Sequence, residues 1–220
     1  MTKKTTDSLS NLRKNYEKNE LLEHTVHTDP FQQFDGWLQA ALAHEGVYEA
    51  NAMTLATVNP LGKPSSRTVL LKGIREGGFV FYTNHHSRKG KELAQNKHVA
   101  LLFYWGVLQR QVRIEGIVTE LSVEASTQYF QSRPKGSQIG AWASTQSEII
   151  DSRQVLEANQ SQITEQYKDA EVLPKPPNWG GYLVKATNFE FWQGRSSRLH
   201  DRLQYRLDSE TKWFIERLAP

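Results

Sequence analysis

The chain has 220 residues, 38% hydrophobic and 10% aromatic, and 27 Lys and Arg against 24 Asp and Glu leave a net charge of +3. This composition supports a sizeable core and excludes an intrinsically disordered chain, while so small a charge excess gives no argument for nucleic acid. The absence of cysteine excludes disulfides and thiolate metal sites and suits a reducing cytoplasm; no apolar run of about 18 residues is present to cross a membrane, and Met1–Ser8 lacks the apolar core of a signal peptide.

Residues 1–20 are polar and read as a flexible segment before a single domain over 21–220. Asp29-Pro30 reads as the cap and first position of a helix over 30–44, with Phe31, Phe34, Leu38, Ala41 and Leu42 at helical spacing. From Ala52 the period becomes strand-like. Strands are expected over 53–58, 66–72 and 78–83, with turns at 59–64 and around Glu76-Gly77-Gly78. Ser87 caps a helix over 88–95, and strands over 99–105 and 109–121 follow. Ser122 caps another helix, which must end before Pro134. A polar helix falls within 149–168, ahead of Pro174-Lys175-Pro176-Pro177. Strands over 181–187, 189–193, 203–207 and 212–218 close the chain. Eight or nine short, mainly antiparallel strands with interspersed helices predict an α+β fold whose sheet closes into a barrel.

Four cationic clusters stand out. Arg67 and Lys72 bound one strand, and their offset of five places them on opposite faces. Ser87-Arg88-Lys89 puts two cations at a helix N-terminus, where they oppose the helix dipole, so an anion site is favoured over mere solvation. Tyr129 and Arg133 share a helix face and Ser137 follows, a set able to clamp a phosphate. If 198–202 is extended, Arg198, His200 and Arg202 face one way beside Trp192, with Leu199 turned to the other face. That row suits an anionic planar ligand, although a charged edge strand has the same look. Gln111 can both donate and accept toward a flavin edge, whereas Gln109 reads as solvent-facing. Trp142, Gln146 and Ser147 form a further polar and aromatic surface. No Gly-x-Gly-x-x-Gly after a strand, Walker loop, His-Glu-x-x-His or Gly-x-Ser-x-Gly is present, so Rossmann, kinase, metalloprotease and serine hydrolase readings have no support and no metal is expected.

Together these segments resemble the pyridoxamine 5'-phosphate oxidase family. The resemblance rests on Arg-Thr-Val-Leu-Leu-Lys (67–72), Phe-Tyr-Thr-Asn (81–84), Ser-Arg-Lys (87–89), Gln-Val-Arg-Ile-Glu-Gly (111–116), Tyr-Phe-Gln-Ser-Arg-Pro (129–134), Ser-Gln-Ile-Gly-Ala-Trp (137–142), Gln-Ser (146–147), Trp-Gly-Gly-Tyr (179–182), Glu-Phe-Trp-Gln-Gly (190–194), Arg-Leu-His-Asp-Arg (198–202) and Arg-Leu-Ala-Pro (217–220). Each is weak alone, and the ordered set is specific. It implies an FMN-binding split β-barrel working as a homodimer, with active sites shared across the subunit interface. Carried over by residue, FMN is held by Arg67, Thr68, Val69, Leu70, Lys72, Tyr82, Thr83, Arg88, Lys89, Gln111, Gln146, Ser147, Trp192 and Arg202. The substrate is held by Lys72, Tyr129, Arg133, Ser137, Arg198, Leu199 and His200, with Arg198 and His200 catalytic. Arg13 and Tyr16 match an Arg-x-x-Tyr pattern in an N-terminal segment that closes over the site, and Arg195 is given no role.

The resemblance further implies oxidation of pyridoxamine or pyridoxine 5'-phosphate to pyridoxal 5'-phosphate. The substrate C4' passes a hydride to flavin N5, and dioxygen is the final acceptor, giving hydrogen peroxide. Arg67, Arg88 and Lys89 then serve one phosphate, and Lys72, Tyr129, Arg133 and Ser137 the other. Competing readings are a related flavin oxidase acting on another small aromatic substrate such as a phenazine precursor, a non-catalytic carrier of FMN or pyridoxal phosphate, and a nucleic-acid binder with a basic aromatic face.

Overall fold

The structure is a computed structural model, and it describes residues 9, 11, 12, 14–208 and 211–220. Asp29 caps α1 (Pro30–Leu42) by accepting from the Phe31 N–H at 2.9 Å, and Pro30 takes the first position, where no N–H is needed. The buried stripe is Phe34, Trp37, Leu38 and Ala41. The other helices are α2 (Arg88–Gln95), α3 (Val123–Gln131), α4 (Lys135–Ala143) and α5 (Arg153–Gln166). None of the described helices is long and apolar enough to cross a membrane.

Nine strands are described: β1 (Ala52–Val58), β2 (Pro64–Leu70), β3 (Gly73–Arg75), β4 (Gly78–Asn84), β5 (His98–Trp105), β6 (Arg110–Glu120), β7 (Trp179–Gln193), β8 (Asp201–Leu207) and β9 (Trp213–Arg217). They form one sheet in the order β2-β1-β5-β6-β7-β4-β3, with β8 pairing β7 and β9. The pairs β1·β2, β1·β5, β3·β4, β4·β7 and β8·β9 are antiparallel. β1 shows the alternating burial of a strand with one core face, whereas β4 is buried almost throughout.

The chain divides into two compact units. A central unit comprises Asn51–Phe103 and Ile114–Asn188. A terminal unit comprises the described residues of Met1–Ala50 with Tyr104–Arg113 and Phe189–Pro220. The central core includes the fully buried Leu55, Phe79, Phe81, Leu101 and Phe103. The terminal core is aromatic: Phe31 meets Phe189 edge-on at 5.1 Å, and Trp37 meets Phe191 at 5.3 Å and 90°.

Four expectations are corrected. The segment after Gly73 forms the short strand β3 rather than only a turn. Residues 181–187 and 189–193 are not two strands but one, the fifteen-residue β7, because Asn188 stays extended between them. Ser137 lies inside α4 rather than beyond a helix. The segment 198–202 is not uniformly extended: Ser196–Arg198 is a 3₁₀ turn in which Ser197 and Arg198 have φ of 55° and 64°, and the strand starts only at Asp201.

Candidate functional site

In the central unit a cavity of about 460 Å³ is lined by Thr68, Val69 and Leu70 of β2, Lys72 just after it, Tyr82 and Thr83 of β4, and Lys89 of α2. Tyr129, Arg133, Gln146 and Trp179 line it as well. Three cations therefore face one space, and no carboxylate is among the described residues that line it. Two glycines sit in close approaches next to residues of this lining. A Cβ on Gly181 would lie 2.6 Å from the Tyr82 ring, and one on Gly90 would lie 2.1 Å from the His85 carbonyl oxygen. A side chain at Gly90 would meet backbone and require α2 to move, and one at Gly181 would require the Tyr82 ring and Leu121 to give way.

Ser87 caps α2, its Oγ accepting from the Gly90 N–H at 3.3 Å and donating to the Asn84 carbonyl at 2.6 Å. The first turn of α2 carries Arg88 and Lys89 and no acidic residue. Lys89 is 8% exposed, and its Nζ donates to Thr83 Oγ1 at 3.1 Å and Gln146 Oε1 at 3.0 Å. Neither partner is charged. Burial pushes the Lys89 ammonium down to about 8, with the Arg67 charge adding to it. A bound anion favours the charged amine. Anion affinity is therefore expected to hold steady below pH 8 and to fall above it as the free amine loses its proton. Titration of FMN binding between pH 6 and 10 checks this, and Lys89→Met should remove the step.

Arg133 follows α3. Its guanidinium stacks 4.9 Å from the centre of the Trp179 ring and 5.5 Å from Phe130, and one terminal nitrogen is buried with no hydrogen-bond partner. Burial depresses its pKa, an effect that Tyr129 partly opposes. Tyr129 stacks on Tyr82 at 3.8 Å and 14°.

Arg67 turns away from this lining. It donates to Thr57, to Ser65 Oγ at 2.6 Å and to the Glu92 carboxylate at 3.3 Å. Arg88 reaches the other Glu92 oxygen at 3.0 Å. Burial alone would raise the Glu92 carboxyl, but hydrogen bonds from Thr57, Ser65 and Arg88 and the Arg67 charge outweigh it and hold it at about 2. A folded-state pKa below the unfolded one contributes stability above about 4.5 that is lost as pH falls toward about 2. Glu92→Gln is expected to cost about 1–3 kcal/mol at pH 7, or roughly 2–12 °C in Tm. Thermal melts from pH 7 to 3 check it, since the difference from wild type must shrink as the pH falls. Ser147, with φ of 76°, lines a separate cavity of about 390 Å³ with Arg88 and Glu92. Ser137 lines neither cavity.

In the terminal unit Tyr16, Trp192, Arg198 and His200 line a third cavity of about 580 Å³. The His200 ring lies 4.7 Å from Trp192 and 5.7 Å from Tyr16. The Arg195 N–H donates to His200 Nδ1 at 3.0 Å, so the neutral ring carries its proton on Nε2. Burial first, then the Arg198 charge, depress its pKa and favour that neutral form. Arg202 donates to Glu190 at 2.8 Å and to the Ala219 carbonyl at 2.7 Å. Gln111 sits half-buried in β6, Leu199 is 70% exposed, and Arg13 lies outside the described residues.

Several contributors escaped the sequence reading. Glu92 stands in no motif, Trp179 stands in Trp-Gly-Gly-Tyr without a role assigned to it, and the part of each lies in what it touches. Gln109, read as solvent-facing, instead adopts φ of 55° and accepts from the Glu17 and Lys18 N–H groups at 3.1 and 3.3 Å. Arg195 pairs with Glu20 and Asp201. Among the described residues no group of three or more His, Asp or Glu could hold a metal ion.

Comparison with known proteins places the chain in a family. A family model described as pyridoxamine 5'-phosphate oxidase matches residues 40–167, and one described as the pyridoxine 5'-phosphate oxidase C-terminal dimerisation region matches 179–220. Similar proteins named pyridoxine/pyridoxamine 5'-phosphate oxidase include one from Burkholderia lata, 54% identical over 97% of this chain and 99% of its own, and one from Salinibacter ruber, 53% identical over 96% and 99%. Among solved structures, PhzG from Burkholderia lata in complex with tetrahydrophenazine-1-carboxylic acid superposes with a TM-score of 0.83 at 28% identity, covering 92% of this chain and 98% of PhzG. A pyridoxamine 5'-phosphate oxidase-related, FMN-binding protein from Nostoc punctiforme shares the fold, with a TM-score of 0.69 at 18% identity over 89% of this chain and 100% of its own. The mixed α+β antiparallel sheet is thus a split β-barrel. With both family models matched in order and identity above 50% along nearly its whole length, the chain belongs to the pyridoxine/pyridoxamine 5'-phosphate oxidase family.

Proposed function

We propose that this chain is a cytoplasmic FMN-dependent oxidase that converts pyridoxamine 5'-phosphate and pyridoxine 5'-phosphate to pyridoxal 5'-phosphate, water releasing the nitrogen as ammonia in the amine case. It acts as a homodimer with sites shared across the subunit interface, a reading supported by the match of residues 179–220 to a dimerisation region. The observation that carries the activity is the carboxylate-free cavity lined by Lys72, Lys89 and Arg133. A half-buried guanidinium with no anionic partner among the described residues is partly desolvated at a cost, and a dianionic ester in the cavity it lines offsets that cost.

The donor set fits FMN. Lys89, Thr83, Gln146 and the backbone of Thr68–Leu70 face one cavity and offer hydrogen bonds of both senses to a phosphorylated ring system. Arg67, Arg88, Ser147, Gln111, Tyr82, Trp192 and Arg202 complete the proposed cofactor set. When bound, FMN supplies the acceptor for a hydride from substrate C4', and dioxygen restores it with release of hydrogen peroxide. The protein's part is placement. Lys72, Tyr129, Arg133 and Ser137 anchor the substrate phosphate and so fix the ring, a proximity effect. Arg198 covers the ring and orients C4'. His200 offers an Nε2–H as donor while its Nδ1 lone pair is occupied by the Arg195 N–H, so it orients the substrate rather than removing a proton. Tyr16 packs against Trp192 and His200 as part of the N-terminal segment assigned, with Arg13, to closure.

A second reading, oxidation of a phenazine precursor, takes its support from the likeness to PhzG. The 28% identity to PhzG against 54% and 53% to the named phosphate oxidases favours the first, as do Tyr129 and Arg133, which a substrate without phosphate leaves idle. Anaerobic mixing of the yellow holoenzyme with pyridoxamine 5'-phosphate separates the readings. Bleaching of the flavin absorbance is expected. Persistent colour with tight ligand binding would indicate a carrier, and a colourless preparation that takes up no FMN would refute the cofactor assignment.

A further inference from the structure

Trp179 opens β7 and pairs across the sheet with Asn84, at the end of β4. Its ring is 8% exposed and lies nearly parallel to two tyrosines, 5.3 Å and 8° from Tyr82 and 6.2 Å and 7° from Tyr129. Phe130 meets it edge-on at 5.1 Å. The Arg133 guanidinium sits 4.9 Å from its centre. Among the described residues no carboxylate holds Arg133, and one of its nitrogens is buried without a partner. An unpaired guanidinium on a flexible stem would sample many directions. Here the face of an aromatic ring holds the cation in place.

We infer that Trp179 is a positioning residue: its indole face holds Arg133, and its plane holds Tyr129 through Tyr82, so that both are aimed at the phosphate of the substrate before it arrives. This rests on the assignment of Arg133 and Tyr129 to that phosphate. The inference adds that the clamp is built by aromatic stacking rather than by ion pairing. A carboxylate partner would neutralise the guanidinium and compete with the incoming anion. An indole orients the cation and leaves its charge available.

The test uses holoenzyme of wild type, W179F, W179L, R133A, R133K and the doubles W179L/R133A and W179F/R133K. The readings are KM and kcat for pyridoxamine 5'-phosphate, the inhibition constant of inorganic phosphate and the FMN content. W179L is expected to raise KM and the phosphate inhibition constant about tenfold, within the span of a desolvated cation–π contact, with kcat and FMN content within about twofold of wild type. W179F keeps an aromatic face and should stay within about threefold. The decisive reading is the cycle. In the R133A background W179L should add well under half of its effect on wild type, because only the part that passes through Tyr129 is left. If Trp179 raises KM equally with and without Arg133, or lowers kcat and FMN content instead, the inference is wrong. If W179L yields no holoenzyme, W179F carries the test, because its small effect must vanish in R133K, which keeps the charge but not the guanidinium over the ring. If R133A itself leaves phosphate affinity unchanged, the underlying phosphate assignment fails, a result distinct from the failure of Trp179.

Discussion

Arg198→Ala is expected to slow anaerobic bleaching by pyridoxamine 5'-phosphate on the order of 100-fold or more, while FMN bound per subunit stays unchanged. A hundredfold loss corresponds to about 2.7 kcal/mol of transition-state stabilisation. One charge-assisted contact that also orients the reacting carbon supplies that much. Stopped-flow absorbance and FMN content after gel filtration measure the two quantities independently. Equal loss of both would remove Arg198 from its assigned role. The backbone provides a control. Ser197 and Arg198 are consecutive non-glycine residues with φ of 55° and 64°, a conformation costing about 1–2 kcal/mol each. Arg198→Gly relieves that strain, so it should equal or exceed the alanine variant in Tm and be as slow. A glycine variant as fast as wild type would show that the side chain has no part in the reaction.

Arg133→Ala is expected to raise KM for phosphorylated substrate roughly 10- to 100-fold, the equivalent of one or two charge-assisted hydrogen bonds. FMN content should be unaffected. Loss of FMN with a normal KM would mean that Arg133 serves the other phosphate. The same substitution carries a stability signature. The Arg133 guanidinium is desolvated and lacks an anionic partner, so in the ligand-free protein its removal should leave Tm unchanged or higher. With saturating pyridoxal 5'-phosphate the order reverses, because only the wild type gains the full linkage term. Paired melts with and without ligand display both signs.

The strands, helices and caps of this chain were legible because they depend on local chemistry. Asp29-Pro30, Ser87 and Ser122 each start a helix, and each accepts the backbone N–H its position predicts. Helix α4 escaped because Pro134 caps it without a side-chain bond and because Gly136 and Gly140 weaken its propensity. The unity of β7 escaped because Thr187-Asn188 reads as a break, whereas pairing on both sides of the strand holds it extended. Ordered motifs drew the expected anion-binding residues together, and Lys72, Lys89, Tyr129 and Arg133 do line one cavity. Motifs could not reveal that Arg67 joins Arg88 on Glu92: Arg88 lies four residues from Glu92 on one helix, but Arg67 lies 25 residues away on β2. Nor could they show that Arg198 leaves the strand, because two left-handed residues without glycine run against propensity.

Asp201 gathers both ends of the polypeptide. One of its oxygens accepts from the Leu21 N–H at 3.0 Å and from Arg195 at 3.3 Å, and the other from Arg217 at 2.8 Å. Arg217 in turn grips Glu23 at 2.7 and 2.8 Å. Start and finish of the chain are thus knotted through a single acidic side chain two positions beyond Leu199. Clipping the final strand would untie the entry into the first helix, and fraying at one terminus is paid at the other. Natural variation at Glu23, Asp201 and Arg217 should accordingly be correlated, each tolerating change only when its companions change too.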